Sequence, residues 1–471
     1  MQMETEIIKK GFKNTIFVVL AQSVKFLLGI AKALILPIIL GVTNFGYWQV
    51  YLLYMSYVGI FALGFNDGIY LKYGKYDYDQ LPKPIFRSSI KLFIFAQIAI
   101  TFLISILILF ESDFNKQLAM IFASINIPIA GLTGVLIYVL QVTNQLKKYS
   151  LYTILDKAIV LVIILLALIA RTDQFILIIL ADIFSKLIVL GLMVHSCRDL
   201  IFGVGVPLDK AAKESFDNIN IGIKLMLANF SGMLVFGFGK FIVERFESVE
   251  VYGTYAFAIS TINLVLVFIT AVGLVIYPTL SRIDDQRYPS YFKELNKVLN
   301  ILIFVLLISY FPLRIFIERF MIEYILIFEY LPIIFTVVLV QTKMQILINP
   351  FYKLLREEKI MLAVNITGLI MAMILVSALY FTTRSVTMVA LSTLIAMGVR
   401  LYLSEIYLEK RLGIKGNKGI ALEIVGIAIF IFFAYQRNII IGLAGFSTII
   451  MIYVLTQIKS IEKFTKLFIK G

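Results

Sequence analysis

Long apolar stretches alternate with short polar connections along the whole chain. Apolar windows of about 20 residues, the helix length needed to cross a bilayer core of about 30 Å, recur about fourteen times. The predicted spans cover residues 15–40, 46–69, 90–110, 118–141, 150–169, 175–195, 219–240, 253–278, 298–317, 331–351, 360–381, 385–408, 419–435 and 438–457. We therefore predict an all-α, polytopic membrane protein with about fourteen transmembrane helices.

Composition supports this prediction and removes several kinds of chemistry. Hydrophobic residues make up 61% of the chain and charged residues 15%, against about a quarter in soluble domains. The single cysteine, Cys197, excludes an intramolecular disulfide and a thiolate metal cluster, and the single histidine, His195, excludes a His-pair zinc site. We expect no metal and no cofactor, and the short connections leave no room for a soluble domain.

The basic residues predict the orientation of the chain in the membrane. With the N-terminus in the cytoplasm, 28 lysines and arginines fall in cytoplasmic segments and 7 in the opposite loops. This asymmetry predicts that both termini are cytoplasmic. It also explains the formal net charge of +14 without nucleic acid, which we do not expect as a partner.

A faint internal repeat divides the spans into two sets of six. The turn Phe45-Gly46-Tyr47-Trp48 is matched by Tyr252-Gly253-Thr254-Tyr255 about 207 positions later. We predict a lobe of spans 1–6 over residues 1–200, a lobe of spans 7–12 over 201–410, and spans 13 and 14 over 411–457. Residues 458–471 place apolar and lysine side chains on opposite sides of a helix, which predicts an amphipathic cytoplasmic tail.

Ionisable residues inside the spans are the candidate functional residues, because a charge facing lipid is costly. Gln22, Lys25, Gly29 and Lys32 follow the spacing of one helix face, and Lys25 lies near the membrane midplane. Such a stripe suits the wall of a wet cavity. The lysines either bind an anion there or pair with carboxylates on other helices.

Three further lysines lie inside the spans, each with polar or acidic residues close by in the sequence. Lys186 follows Asp182 by one turn, so the two side chains either form an ion pair or face a cavity. Lys240 is followed by Glu244 in the same way, and Lys343 lies in a polar stretch at midplane depth. Asp182, and Asp67 at the end of the second span, are the candidates for ion pairing or ion coupling.

The sign of these charges favours an anionic ligand. The deepest positions hold several lysines and one acid, Asp182, whereas an exporter of organic cations would need carboxylates in its cavity. A cavity lined by ammonium groups suits a phosphate or a diphosphate. The predicted substrate-binding residues are Lys25, Lys32, Lys186, Lys240, Lys343 and Gln22.

Several motifs resemble those of the polysaccharide transporter (Wzx-type) flippases, a family of the multidrug/oligosaccharidyl-lipid/polysaccharide exporter (MOP) superfamily. They lie in the turn after the first span, at the end of the second span, and at the start and the exit of the eighth span, in an order and at spacings typical of that family. These motifs are Leu40-Gly41…Phe45-Gly46, Leu63-Gly64-Phe65-Asn66-Asp67-Gly68-Ile69, Val251-Tyr252-Gly253-Thr254-Tyr255-Ala256 and Tyr277-Pro278-Thr279-Leu280-Ser281-Arg282. The chain departs from the family at Gly239-Lys240, where many relatives carry an acid.

The resemblance implies a MATE-like fold of two six-helix lobes around a cationic cavity, with spans 13 and 14 added. It implies a non-enzymatic flippase in the bacterial cytoplasmic (inner) membrane, acting on an undecaprenyl-diphosphate-linked oligosaccharide for O-antigen or capsule. By resemblance, a proton or sodium gradient would drive it, membrane lipids would surround it, and a polysaccharide polymerase and a chain-length regulator would be partners.

Three alternatives remain open at this point. A lipid II flippase shares the fold and the cationic cavity. A MATE-type multidrug exporter shares the fold, but the lysine-rich midplane disfavours it. An O-antigen polymerase or ligase would need a sizeable outer loop with basic catalytic residues, and the longest predicted outer loop, about residues 314–330, is short.

Overall fold

The computed structural model describes residues 26–280, 283–414 and 419–458 of the 471-residue chain, with side chains for all of these except 267, 268 and 270–279. All regular structure in the described residues is helical. Within these ranges, twelve helices are long and apolar enough to cross a membrane by length and composition. The predicted all-α membrane architecture is therefore confirmed. The predicted tail falls almost wholly outside the described residues.

The helices follow the predicted spans closely. A π-helical turn, Ala31–Ile35, precedes the first of them. Apart from a single α-helical turn, Arg198–Ile201, the α-helices of the first half are α1 Leu36–Tyr57, α2 Phe65–Tyr73, α3 Lys83–Ile108, α4 Phe114–Val142, α5 Leu146–Ala170, α6 Phe175–Ser196 and α7 Leu208–Phe246. Those of the second half are α8 Val249–Leu280, α9 Tyr288–Leu307, α10 Tyr310–Phe320, α11 Leu331–Phe335, α12 Val337–Lys343, α13 Asn349–Leu354, α14 Glu358–Thr383, α15 Val386–Arg411, α16 Gly419–Ala434 and α17 Ile439–Thr456.

Two features account for the difference between fourteen predicted spans and twelve long apolar helices. The first two predicted spans share the helical run Phe26–Ala62, which is kinked at Gly41 (φ 66°, ψ 177°). Glycine accepts this backbone conformation because it has no Cβ. The thirteenth predicted span, α16, is apolar and has 16 described residues, fewer than a bilayer crossing ordinarily takes.

The chain divides into two compact units, Met1–Phe230 and Ser231–Gly471. The division falls inside α7, and residues 411–457 lie in the second unit. The lobe boundaries at residues 200 and 410 stay predictions. The first part of α7 belongs to the first unit because it packs on α2. There Lys72 forms an ion pair with Glu214 at 2.8 Å.

Glycines bring the backbones of α2 and α7 together. A Cβ on Gly68 would lie 1.9 Å from the carbonyl oxygen of Asn218, and one on Gly222 would lie 2.0 Å from that of Gly64. Small residues allow such close helix contacts in membrane proteins. Gly64 also has a positive φ of 84° where it caps α2. The family-like segment 63–69 is therefore a helix-packing motif.

In the second unit, the segment Leu331–Leu354 is the most buried of the twelve candidate spans. It contains α11, α12 and α13, with a second π-helical turn, Met344–Ile348, between α12 and α13. A π-turn carries an extra residue and is often found at functional positions. Lys343 is the last residue of α12, directly before this turn.

Candidate functional site

Asp182 on α6 is the centre of a charged cluster in the first unit. Its side chain is 4% exposed and accepts a hydrogen bond from the Tyr51 hydroxyl at 2.7 Å. Lys186, one turn along α6, pairs with Oδ2 of Asp182, and the Lys32 ammonium lies 3.5 Å from Oδ1. Asn126 on α4 supports the Tyr51 hydroxyl at 3.2 Å. Three helices and the first π-turn therefore meet at one carboxylate.

A second pair lies next to this cluster. Asp156 and Lys157 on α5 are paired at 2.5 Å. Ser185 on α6 donates to Oδ1 of Asp156 at 2.9 Å and so joins the two helices. Lys157 is partly exposed, as Lys186 is. Together the two clusters hold three lysines and two carboxylates, a formal excess of one positive charge.

A cavity of about 380 Å³ opens beside these charges, inside the first unit. Side chains from α1, α4, α5 and α6 line it. Its polar lining comprises Thr133, Tyr149, Tyr152, Thr153, Asp156, Lys157 and Lys186. An anion in this cavity would meet two ammonium groups and several hydroxyl donors in a setting of reduced dielectric.

Lys32 lies inside the π-turn and stacks over the Trp48 ring at 5.2 Å from its centroid. Its side chain is 22% exposed. Gly29 and Lys32 were expected on one face of a uniform α-helix. The π-helical turn contains an extra residue, so the angle between these two positions differs from the α-helical one. Lys25 and Gln22, the other members of the predicted stripe, lie outside the described residues.

Lys343 occupies a different environment in the second unit. Its ammonium lies 2.7 Å from Oε2 of Glu405 and 2.6 Å from Oε1 of Glu423, and all three side chains have no solvent exposure. In this conformation Lys343 is enclosed by carboxylates and faces no open cavity. Of the two roles considered for the lysines, anion binding and pairing with carboxylates on other helices, Lys343 shows the second in this conformation.

Glu405 was not among the predicted site residues. The prediction that Asp182 is the one acid at the deepest positions was wrong, because two glutamates are also fully buried. Glu405 is fully buried on α15, and Glu423 is fully buried on α16. Both lie close to the ends of predicted spans, where an acid usually reaches water. The available signal was Lys343 itself, because a lysine deep in a membrane-spanning segment needs a carboxylate partner, and none lies on its own span.

The remaining candidates are more scattered. Lys240 is partly buried on α7 and lies over the Phe236 ring at 5.5 Å. Asp67 is half-buried in the first turn of α2. Arg400 on α15 is 6% exposed and donates to the carbonyl oxygen of Gly232 at 3.2 Å. These residues do not join the Asp182 cluster.

Solved structures with a similar fold are membrane transporters. One is a lipid II flippase, MurJ, in an inward closed conformation, with 12% identity, coverage of 98% of this chain and 99% of that one, and a TM-score of 0.62. Another is an inward-facing multidrug resistance MATE family transporter of the MOP superfamily, with 13% identity, coverage of 85% and 94%, and a TM-score of 0.55. The predicted MOP fold is confirmed.

Sequence comparison gives the family. No curated protein sequence matches the chain. A family model described as polysaccharide biosynthesis protein matches residues 12–284, more than half of the chain, and includes all of the motifs singled out above. The recognition made from those motifs is confirmed, and this multi-pass membrane protein belongs to the polysaccharide biosynthesis protein family.

Proposed function

We propose that this protein is a flippase that moves an undecaprenyl-diphosphate-linked oligosaccharide across the bacterial cytoplasmic membrane by alternating access. The product would serve O-antigen or capsule synthesis. One observation carries the proposal: in a chain of this family, Lys186 and Lys157 line a cavity among membrane-spanning helices, with Lys32 nearby on Asp182.

The chemistry of the cavity suits a diphosphate attached to a sugar. Ammonium groups donate several hydrogen bonds to phosphate oxygens, and the hydroxyls of Tyr149, Tyr152 and Thr153 suit sugar hydroxyls. The site needs no nucleophile, because translocation breaks no covalent bond. Asp182 would compete with the diphosphate for Lys186, so binding stays reversible.

The other predicted residues have different proposed roles. Lys25 and Gln22 lie 7 and 10 residues before Lys32, about two and three helical turns, and keep their proposed place in the cavity wall. Lys240 keeps its proposed role as a second-unit cation. Lys343 would bind substrate only in a conformation that separates it from Glu405 and Glu423. A proton or sodium gradient would supply the driving force.

A mass spectrum of lipids from cells lacking the protein tests the function. We expect one undecaprenyl-diphosphate oligosaccharide to accumulate as a complete repeat unit, which would also identify the cargo. Accumulation of lipid II would assign the protein to peptidoglycan synthesis instead. If no lipid-linked species accumulates, the protein is an exporter of other compounds and the proposal is wrong.

Complementation of those cells tests the site. Lys186→Ala and Lys25→Ala should strongly reduce surface glycan at normal protein level, because each removes a cation from the proposed diphosphate site. Lys210→Ala is the matched control, since Lys210 is exposed near the start of α7. Full glycan display by both Lys186→Ala and Lys25→Ala would contradict the anion site.

A further inference from the structure

The second unit contains a charged cluster whose side chains have no solvent exposure. It consists of Lys343 on α12, Glu405 on α15 and Glu423 on α16, and we call it the Lys343 cluster. α16 lies close against α9, where a Cβ on Gly426 would be 2.3 Å from the ring of Phe304. Water therefore has no open route to the three charges through this contact.

Two asparagines complete the cluster. Asn296 on α9 donates to Oε1 of Glu405 at 2.5 Å, and Asn300, one turn later, donates to Oε1 of Glu423 at 2.9 Å. Both oxygens of Glu405 are therefore engaged, since its Oε2 accepts from Lys343. Oε2 of Glu423 is buried and has no hydrogen-bond partner in the described part of the chain.

The charges of the cluster do not balance when all three groups are ionised. Two carboxylates and one ammonium leave a net negative charge in a site without solvent exposure. An uncompensated buried charge, and an anionic oxygen without a donor, are both strongly unfavourable. A neutral Lys343 would make this worse, because two carboxylates would then face each other without a cation.

Neighbouring groups in the described residues supply no second cation. Tyr402 on α15 and Tyr453 on α17 interact electrostatically with the carboxylates, but a phenol is uncharged at neutral pH. Arg400, earlier on α15, donates to Gly232 on α7. On α9, Lys297 pairs with Glu294 at 3.4 Å. Within the described part of the chain, the remaining way to balance the charges is a proton on one of the two carboxylates.

We propose that the Lys343 cluster is a proton-binding site that holds one proton on Oε2 of Glu423 at neutral pH. The protonated cluster has one ammonium, one carboxylate and one carboxylic acid, and its net charge is zero. Release of the proton converts the acid of Glu423 to a carboxylate and leaves a negative charge between α15 and α16. The hydrogen bond from Asn300 to Oε1 serves both states.

The proposal concerns the ground state of the protein and does not depend on the proposed flippase activity. Its test is infrared spectroscopy of the purified full-length protein at pH 7, in H₂O and D₂O. We expect a deuterium-sensitive carbonyl band of a protonated carboxylic acid. Glu423→Gln should abolish the band and leave the protein folded, because glutamine resembles the neutral acid in shape.

Two further variants make the pattern specific. Glu405→Gln should also abolish the band, since Glu423 alone then balances Lys343 as a carboxylate. Lys343→Met should increase the band, because without the ammonium both acids take up protons. Glu318→Gln is the control: Glu318 pairs with Arg314 on α10 and lies apart from the cluster in sequence, so its loss should leave the band unchanged.

Three results would overturn the proposal. The first is a carboxylic acid band of the same intensity in the wild type and in Glu423→Gln. The second is a band that persists in both glutamate variants. The third is a band that disappears when sodium replaces choline in the buffer, since the cluster would then hold a metal cation in place of the proton. A lipid-extract experiment that fails would change none of these readouts.

Discussion

The Tyr51 hydroxyl donates a 2.7 Å hydrogen bond to Asp182, which lies 131 residues later in the chain. This bond joins α1 to α6 and leaves the Asp182 carboxylate shared among a phenol and two lysines. A carboxylate held by three donors keeps its orientation when one of them moves. Lys186 can therefore leave Asp182 for a ligand without leaving a bare charge behind.

Tyr51→Phe should destabilise the protein while keeping the ring in place. A hydrogen bond to a charged group contributes about 1.5–3 kcal/mol, and Asn126 also loses a partner. The measurement is the Tm of the purified protein in detergent. Tyr70→Phe is the control, because Tyr70 is exposed, and it should leave the Tm unchanged. Equal Tm values for both variants would show that the bond contributes nothing.

Asp182→Asn should be more damaging than Lys186→Met. The first change leaves Lys32 and Lys186 without their shared carboxylate, whereas the second leaves Asp182 with two of its three donors. Breaking a buried pair costs about 3–5 kcal/mol, and the partial exposure of both lysines lowers this figure.

The double variant Asp182→Asn/Lys186→Met gives the coupling. It should be more stable than the sum of the two single effects predicts, because the second change removes a charge that the first leaves unpaired. The measurement is the Tm of all four proteins in a double-mutant cycle. Strict additivity would mean that the two side chains do not interact in the folded protein.

Gly68→Ala should impair folding severely for so small a change. The new Cβ would lie 1.9 Å from a backbone oxygen of α7, and backbone cannot move aside as a flexible side chain can. We expect a loss at or above the roughly 1–3 kcal/mol of ordinary overpacking. Gly191→Ala on α6 is the matched control, because no atom lies within 4 Å of its Cβ position.

Thermal stability and the yield of folded protein measure both glycine variants. Gly191→Ala should be neutral or slightly stabilising, since alanine favours a helix. If Gly68→Ala folds as well as Gly191→Ala, then α2 and α7 do not approach as closely as their glycines indicate.

Acid should weaken the contact between Asp199 and the start of α3. Burial acts to raise the pKa of Asp199, but the ion pair with Lys83 at 2.6 Å and the hydrogen bond from Tyr78 hold that pKa below its usual range. A lowered folded-state pKa stabilises the protein above the unfolded-state value, about 3.9, and this contribution is lost as the pH falls through the folded-state value.

The Tm difference between the wild type and Asp199→Asn, followed from neutral pH downwards, checks this. The wild type should be modestly more stable at neutral pH, because these groups are partly exposed, and the difference should shrink in acid. A difference that grows as the pH falls would contradict the sign of the argument.

The sequence supports the fold and the local contacts better than the long-range ones. Asp182 and Lys186 are four residues apart, so their pairing follows from helix geometry alone. The partners of Lys343 lie 62 and 80 residues away, and the periodicity of one helix says nothing about which other helices approach it. The Lys343 cluster therefore required the structure.

Local backbone deviations were also beyond the sequence pattern. A π-turn has no distinctive composition, so the positions of Ala31–Ile35 and Met344–Ile348 could not be predicted. The motif around Gly64 and Gly68 was visible as letters. Its physical reason, two backbones in contact, depends on the position of α7.

The π-helical turn Met344–Ile348 determines where the segment Leu331–Leu354 can tolerate the deletion of one residue. Each residue of an α-helix turns the chain by about 100°. Deleting one residue elsewhere between Leu331 and Leu354 would therefore rotate the side chains before the deletion relative to those after it. A deletion within the wide turn removes only the surplus residue, and the ladder can close to the α pattern with both flanks still aligned. Among the residues of this segment, we expect those from 344 to 348 to tolerate a one-residue deletion best.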